Sequence, residues 1–444
     1  MWIYQCQLAW RSITKTPALC ALIIATLAFG VAAAMVTYTS HHAMQHNPFS
    51  SKNDRVALVQ TDAWHAREAF PGYQLNQMSN LISYRDYKAL STSSIARYNV
   101  PIAHWGGTLN LPDMRLPSSM VFAQLTSRDY FGLFETAFTF GGPWAKTADQ
   151  QFQPQMVLTH EINQRLFNGE NSVGRQVLLE GIVFDVTGVL KPWHRSAAKI
   201  ENIDGPLGIT QQVFVPLQLV EHRTIHPWNR RDCPDDITDY GSPENTLTKG
   251  TCQWLSLWVE FNKAEDKAAY GDFVASFISE QKTIGRYPRP LRYALSSPEE
   301  VIHINRQDRS EFYLFSLVGQ GLLIMCLINA ITLLLAKFIR HAPQVGIRRA
   351  LGASRWNIFN QHLLESAFLG LAGGLLGLAL TQGGLLLLKN SLKGYGNSAH
   401  ATFVLDSHVM TLTLLVGLCA TLLAGIYPAW QICRTPIAQQ LKNS

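Results

Sequence analysis

Charge is scarce in this chain. Asp, Glu, Lys and Arg make up 15% of its 444 residues, whereas 47% are hydrophobic. Disorder requires the reverse balance, so an intrinsically disordered or fibrous protein is excluded. Several catalytic signatures are also missing. No Gly-x-x-x-x-Gly-Lys-Ser/Thr loop is present to cradle nucleotide phosphates. No Gly-x-Ser-x-Gly elbow presents a nucleophile. His160-Glu161 opens a zinc-protease pattern, but Gln164 occupies the place of the second histidine, so a metal would lose a ligand and the pair reads as a helix start. His41, His42 and His46 have no cysteine or carboxylate at matching spacing and read as a polar cluster beside a membrane surface. We therefore expect no catalytic residue, no metal and no directly bound cofactor.

The hydrophobic residues are unevenly placed. Mean hydropathy is only +0.03, because apolar residues crowd into the first 40 and last 135 positions while Asn47 to Asp308 resembles a water-soluble protein. Four runs free of charged residues stand out: Ala18–Thr39, Phe312–Ala336, Ser366–Leu388 and Ser407–Trp430. Each suits a membrane helix, which needs about 20 mostly apolar residues. For the first run a cleaved signal peptide competes, since Arg11 and Lys15 flank it and Ala32-Ala33-Ala34 could be cut. The run is longer than the usual apolar core of a signal, roughly 7–15 residues. No charge lies in mid-span, which argues against a proton relay or an ion channel.

Basic residues set the expected orientation. Arg11 and Lys15 precede span one, Lys337, Arg340, Arg348, Arg349 and Arg355 lie between spans two and three, and Arg434 and Lys442 follow span four, with no acid in any of these stretches. These nine of the 37 basic residues leave 28 against 31 acids elsewhere, so the net +6 follows the inner membrane surface and is not a nucleic-acid footprint. Both termini are expected in the cytoplasm. The predicted order is a cytoplasmic amphipathic segment at 1–17, span one at 18–40, an external domain at 41–310 and span two at 311–337. A cytoplasmic loop at 338–364, span three at 365–388, an external loop at 389–406, span four at 407–430 and a cytoplasmic tail at 431–444 complete it. In span three, Ser366, Gly370, Gly373, Gly374 and Gly377 recur at helical spacing, which allows close packing, more readily against a helix of the same chain than at a subunit interface.

The external segment alternates short strand-like runs with short helices. Arg55–Gln60, Ser119–Leu125, Gln155–Thr159, Gln176–Leu190, Gln212–Val215 and Gln253–Phe261 read as strands. Tyr84–Leu90, Ser127–Phe134, His160–Phe167 and Ala264–Gln281 read as helices. The prediction is an α+β domain, or two subdomains interrupted by an aperiodic insertion at His222–Gly250. Only two of the seven cysteines, Cys233 and Cys252, lie in this domain, the first within the insertion and the second just after it. A disulfide is expected there, with free thiols or a weak metal site as the alternative; it would close a loop of about 20 residues and contribute roughly 3 kcal/mol.

The loop between spans two and three is the most specific stretch. Pro343-Gln344-Val345-Gly346-Ile347-Arg348-Arg349-Ala350-Leu351-Gly352-Ala353-Ser354 reads as a short amphipathic helix under the bilayer, with Val345, Ile347 and Leu351 as its apolar contacts. The eight residues Gly346 to Ala353 match the second intracellular connection of the MacB/FtsX-like ABC-transporter permeases. The chain resembles that family elsewhere too: Leu8–Leu19 before span one, Ser83-Tyr84-Arg85-Asp86-Tyr87, Ser127-Arg128-Asp129-Tyr130-Phe131, Val173-Gly174-Arg175-Gln176 and Val213-Phe214-Val215-Pro216-Leu217 in the external domain, and Gly425-x-Tyr427-Pro428-Ala429 and Pro436-x-Ala438-x-x-Leu441 at the end.

The resemblance implies an α-helical inner-membrane protein with four spans and a large α+β MacB-like core domain between the first two. It implies a permease without a fused ATPase, working as a dimer with a second copy or a paralogous permease, and with a cytoplasmic ABC ATPase dimer that binds ATP and Mg. A periplasmic adaptor and an outer-membrane channel are further partners within the family. Gln344, Gly346, Ile347, Arg348, Arg349, Ala350, Leu351, Gly352 and Ala353 would form the ATPase-coupling helix. Two departures are notable: Gln344 replaces the family's usual acid, and Pro343 stands where a basic residue is common, which modestly favours a heterodimer. The implied function is export or extraction of a substrate at the outer face by mechanical transmission. The alternatives are a transmembrane regulator using the same lever and a membrane-anchored enzyme.

Overall fold

The computed structural model describes residues 12–45, 50–71, 74–75, 77–113, 118–192, 211–222, 225–228, 231–234, 241–307, 310–340, 342–391 and 407–434. Arg11, His46, Pro436, Ala438, Leu441 and Lys442 lie outside them. Helix α1 spans Pro17–Gln45. There follow β1 (Val56–Thr61), β2 (Ile82–Ser83), α2 (Tyr84–Leu90), β3 (Ala96–Asn110), β4 (Ser119–Thr126), α3 (Asp129–Leu133), β5 (Phe138–Gly141), α4 (Lys146–Gln150), β6 (Gln155–Leu158) and α5 (His160–Phe167). The inserted domain continues with β7 (Gln176–Leu179), β8 (Ile182–Leu190), β9 (Val213–Pro216), α6 (Pro243–Thr248), β10 (Gln253–Phe261), α7 (Asp266–Thr283), β11 (Tyr293–Ser296) and α8 (Pro298–Gln307). The last helices are α9 (Ser310–Arg340), α10 (Ala342–Ala350), α11 (Arg355–Ser391) and α12 (Ser407–Arg434).

The chain divides into two compact units, one formed by α1 and the helices after residue 309, the other by the inserted domain. In the inserted domain the eleven strands form one sheet in the order β11-β1-β10-β3-β4-β9-β6-β8-β5, with β2 beside β10 and β7 bridging β3 and β8. Strand β3 joins the two halves: Ala96 to Ile102 pairs with β10, and Ala103 to Leu109 pairs with β4. Central strands β1 and β10 are buried along their whole length, which is why both are so apolar. One face packs under α2, α5 and α7 through Tyr84, Ile162, Tyr270 and Val274; the other packs under α3 and α8 through Tyr130, Phe131 and Val301. Local caps set the helix starts, with Ser83 accepting from the Asp86 amide and Thr159 from the Ile162 amide. His160 and Glu161 begin α5, and no metal-ligating cluster occurs among the described residues.

Sequence and structure differ at several places in this domain, and strands β2, β5 and β11 and helices α4 and α8 add to the expected elements. The run Gln176–Leu190 is two strands, because Glu180 and Gly181 both take positive φ, 48° and 79°, and turn the chain back. Strand β3 was not read, since Pro101, Gly106 and Gly107 break its pattern. Its glycines answer a packing demand: a Cβ on Gly106 would meet the Trp228 ring at 2.7 Å, and one on Gly107 would strike the Glu180 side chain. Among its described residues the insertion contains one short helix, α6, capped by Ser242. Cys233 and Cys252 are disulfide-bonded.

In the other unit, four helices are long and apolar enough to cross a membrane: Pro17–Ser40, Leu314–Arg340, Arg355–Leu388 and Met410–Gln431. Helix α1 packs along both α9 and α11, and α12 packs along both as well. The glycines of α11 serve two neighbours. A Cβ on Gly373 or Gly377 would lie 3.3 Å from Leu27 or 3.2 Å from Val31 of α1, while Gly370 and Gly374 face α12 at Thr421 and Leu414. Gly374 and Gly417 bring the α11 and α12 backbones together: a Cβ on Gly417 would lie 2.9 Å from the Gly374 Cα.

Candidate coupling site

The α9–α11 connection is built by a stop and a restart. Gly352 has φ +99°, a conformation glycine adopts without penalty. Its amide donates to the Arg349 carbonyl at 3.1 Å and the Ala353 amide to the Arg348 carbonyl at 3.0 Å, the paired bonds of a Schellman terminus. Ser354 then opens α11, its hydroxyl accepting from the Asn357 amide at 3.2 Å. The string Leu351-Gly352-Ala353-Ser354 therefore ends α10 and starts α11 within four residues.

Helix α10 presents two unlike faces. Val345 is buried against Leu334, Phe338 and Ile358, and Gly346 is buried beside it. Ile347 is 52% exposed and Leu351 83% exposed, and Trp356 at the start of α11 is 68% exposed. The shared apolar face expected for Val345, Ile347 and Leu351 is thus split. Two residues on a helix differ by about 200°, so Val345 and Ile347 point apart, whereas Ile347 and Leu351, four apart, point together. Gln344 and Ala350 are exposed, Arg348 and Arg349 half-buried, and Ala353 half-buried after the turn. The Arg348 guanidinium donates to Gln361 Oε1 of α11, so part of the basic charge braces the turn instead of projecting outward.

Sequence reasoning missed the groups beneath this helix. Lys337 and Glu365, read as the charged borders of spans two and three, are both 0% exposed and form an ion pair inside the unit. Ser12 donates to Glu365 Oε1 at 2.8 Å, His362 Nδ1 lies 3.5 Å from Glu365 Oε2, and Lys337 Nζ donates to Cys20 Sγ at 3.0 Å. Their opposite signs on either side of one short loop were the available signal.

A family model described as the MacB-like periplasmic core domain matches residues 20–272. The chain belongs to the MacB/FtsX-like family of ABC-transporter permeases. A second model, the FtsX-like permease C-terminal region, matches residues 315–437 and so contains α10. Among curated relatives, the uncharacterized ABC transporter permease YknZ of Bacillus subtilis is 37% identical over 234 residues, 52% of this chain and 49% of that protein. The macrolide export ATP-binding/permease protein MacB of Pasteurella multocida is 26% identical over 297 residues, covering 66% of this chain and 38% of that protein. The pyoverdine export ATP-binding/permease protein PvdT of Pseudomonas aeruginosa is 23% identical over 245 residues, covering 55% and 32%. The chain therefore spans roughly a third or more of the length of these ATP-binding/permease relatives. The periplasmic region of MacB from Actinobacillus actinomycetemcomitans superposes with TM-score 0.36 at 12% identity, over 59% of this chain and 98% of that one. Four apolar helices and this family make the chain a multi-pass inner-membrane protein. Family members act with ABC ATPases.

Proposed function

We propose that this chain is the permease subunit of an ABC transporter in which a separate cytoplasmic ATPase dimer, binding ATP and Mg, drives movement of the inserted domain through α10. The inserted domain lies on the outer face, both termini lie in the cytoplasm, and the movement exports or extracts a substrate at the outer surface. A second copy or a paralogous permease completes the transporter, and a periplasmic adaptor with an outer-membrane channel extends it.

One observation carries this reading: α10 is anchored to the helix unit by Val345 while leaving Ile347, Leu351 and neighbouring Trp356 exposed. An apolar ridge on an otherwise basic surface suits a protein partner, because exposed apolar side chains gain most when a partner covers them. Residues 346–353, within the matched permease region, provide that ridge. The test is co-purification in mild detergent. The intact chain should retain an ABC ATPase; Leu351→Glu should lose it at least tenfold with an unchanged melting profile, and Arg348→Ala/Arg349→Ala should retain the ATPase but lose its stimulation. Unchanged ATPase retention and activity in all of these variants would remove α10 from the coupling role.

A further inference from the structure

Lys337 and Glu365 lie on the two helices that α10 joins. Lys337 lies three residues before the end of α9, and Glu365 ten residues after the start of α11. Helices α1 and α12 pack along both, and the ion pair is a direct polar link between α9 and α11 themselves. It is held from several sides. Ser12, ahead of α1, donates to the carboxylate, Cys20 of α1 accepts from the ammonium, and His362 lies at 3.5 Å on the carboxylate's other oxygen. The Phe338 and His362 rings, 4.3 Å apart, close one side.

Burying a charge is costly unless its partner stays in contact, so separation of the two helix ends by even one water diameter would weaken the pairing of two charges in a low-dielectric interior. Apolar contacts in a membrane carry no such penalty, because lipid replaces a lost apolar neighbour at little cost. We infer that Lys337 and Glu365 are positioning residues that clasp α9 to α11, so that a displacement of α10 moves both helices as one body. Without the clasp, α10 could tilt on its two short connections while α9 and α11 parted, and the displacement would dissipate there. The role in transmission rests on the proposed coupling function of α10, whereas the clasp itself is a property of the chain at rest.

The test uses the full-length chain in nanodiscs of phosphatidylethanolamine and phosphatidylglycerol, with genetically encoded spin-label residues at the exposed positions Ile339 and Leu371, both outside the docking ridge. Pulsed dipolar spectroscopy reads the distance between α9 and α11. In Lys337→Met/Glu365→Leu, which removes both charges together, the melting midpoint should be kept while the distance distribution widens at least twofold. Glu365→Gln, which preserves shape, should widen it similarly, and Lys337→Arg should restore the original width. A wild-type width in either neutralised variant that folds overturns the clasp. Addition of the co-purified ATPase with ATP should shift the distance in the wild-type chain and shift it at least threefold less in the neutralised variants. Widening without any ATP-dependent shift in the wild type would leave the clasp standing and overturn the coupling role of α10.

Discussion

In the inserted domain, Lys52 meets Glu260 at 3.1 Å, Arg289 meets Asp62 at 2.9 Å and Arg286 meets Asp86 at 2.7 Å, each pair largely buried. In the membrane unit, Lys337 and Glu365 are buried among helices that meet through glycine and small residues. The two regions are specified by different forces. Around the sheet, water makes apolar burial worth about 25 cal/mol per Å², so core volume sets stability and the ion pairs fix detail. Between the spans, lipid is as apolar as leucine, so close backbone approach and polar links carry the specificity.

The largest effect expected from this contrast is at Trp254, fully buried, stacked on Tyr84 and donating to the Leu247 carbonyl. Trp254→Ala should cost about 3–5 kcal/mol in thermal or denaturant melts of the full chain. A loss below about 1 kcal/mol would mean that the sheet core does not dominate its domain. Next is the Cys233–Cys252 disulfide, which joins residues 19 apart. Its double serine variant should lose roughly 3 kcal/mol, and non-reducing mass spectrometry should find the linked peptide only in the parent. In the membrane unit, Gly417→Ala should cost about 1–3 kcal/mol by pushing α12 from α11, since its Cβ would lie 2.9 Å from the Gly374 Cα. Gly383, where an added Cβ meets nothing within 4 Å, should accept alanine without loss; equal effects at the two glycines would erase the packing argument.

The smallest expected effect is electrostatic. Burial raises the Asp149 carboxyl from 3.8 to about 6, while hydrogen bonds from the Trp144 ring N–H at 2.8 Å and the Arg128 amide at 3.2 Å oppose the rise. The folded chain thus holds this proton more tightly than the unfolded chain does. Its stabilising contribution is complete below the unfolded value and is lost as pH rises through about 6. Asp149→Asn should flatten the melting midpoint between pH 4 and 6, and an unchanged pH profile would show that Asp149 does not titrate in that range.

Much of the inserted domain was legible because strands β1, β4, β6, β9 and β10 carry apolar, β-branched or aromatic runs, and α2 and α5 carry their caps in sequence. Strand β3 was hidden by glycines that serve its neighbours Trp228 and Glu180, which lie far from it in sequence. In the coupling site the stop at Gly352 and the restart at Ser354 were written into the string. That Val345 and Ile347 point apart follows from helical spacing alone; that Val345 is the one buried follows only from its docking against Leu334, Phe338 and Ile358.

The sequence by itself determined four apolar spans, a polar domain inserted after the first, the Cys233–Cys252 pairing and the family, because each depends on local composition or on residues close along the chain. Tertiary structure alone decided that β3 joins the halves of the sheet, that the α11 glycines divide between α1 and α12, and that the charges at two span borders meet inside the unit. Those outcomes depend on which distant segments come within a few ångströms of one another, and a hydrophobic pattern does not encode that distance.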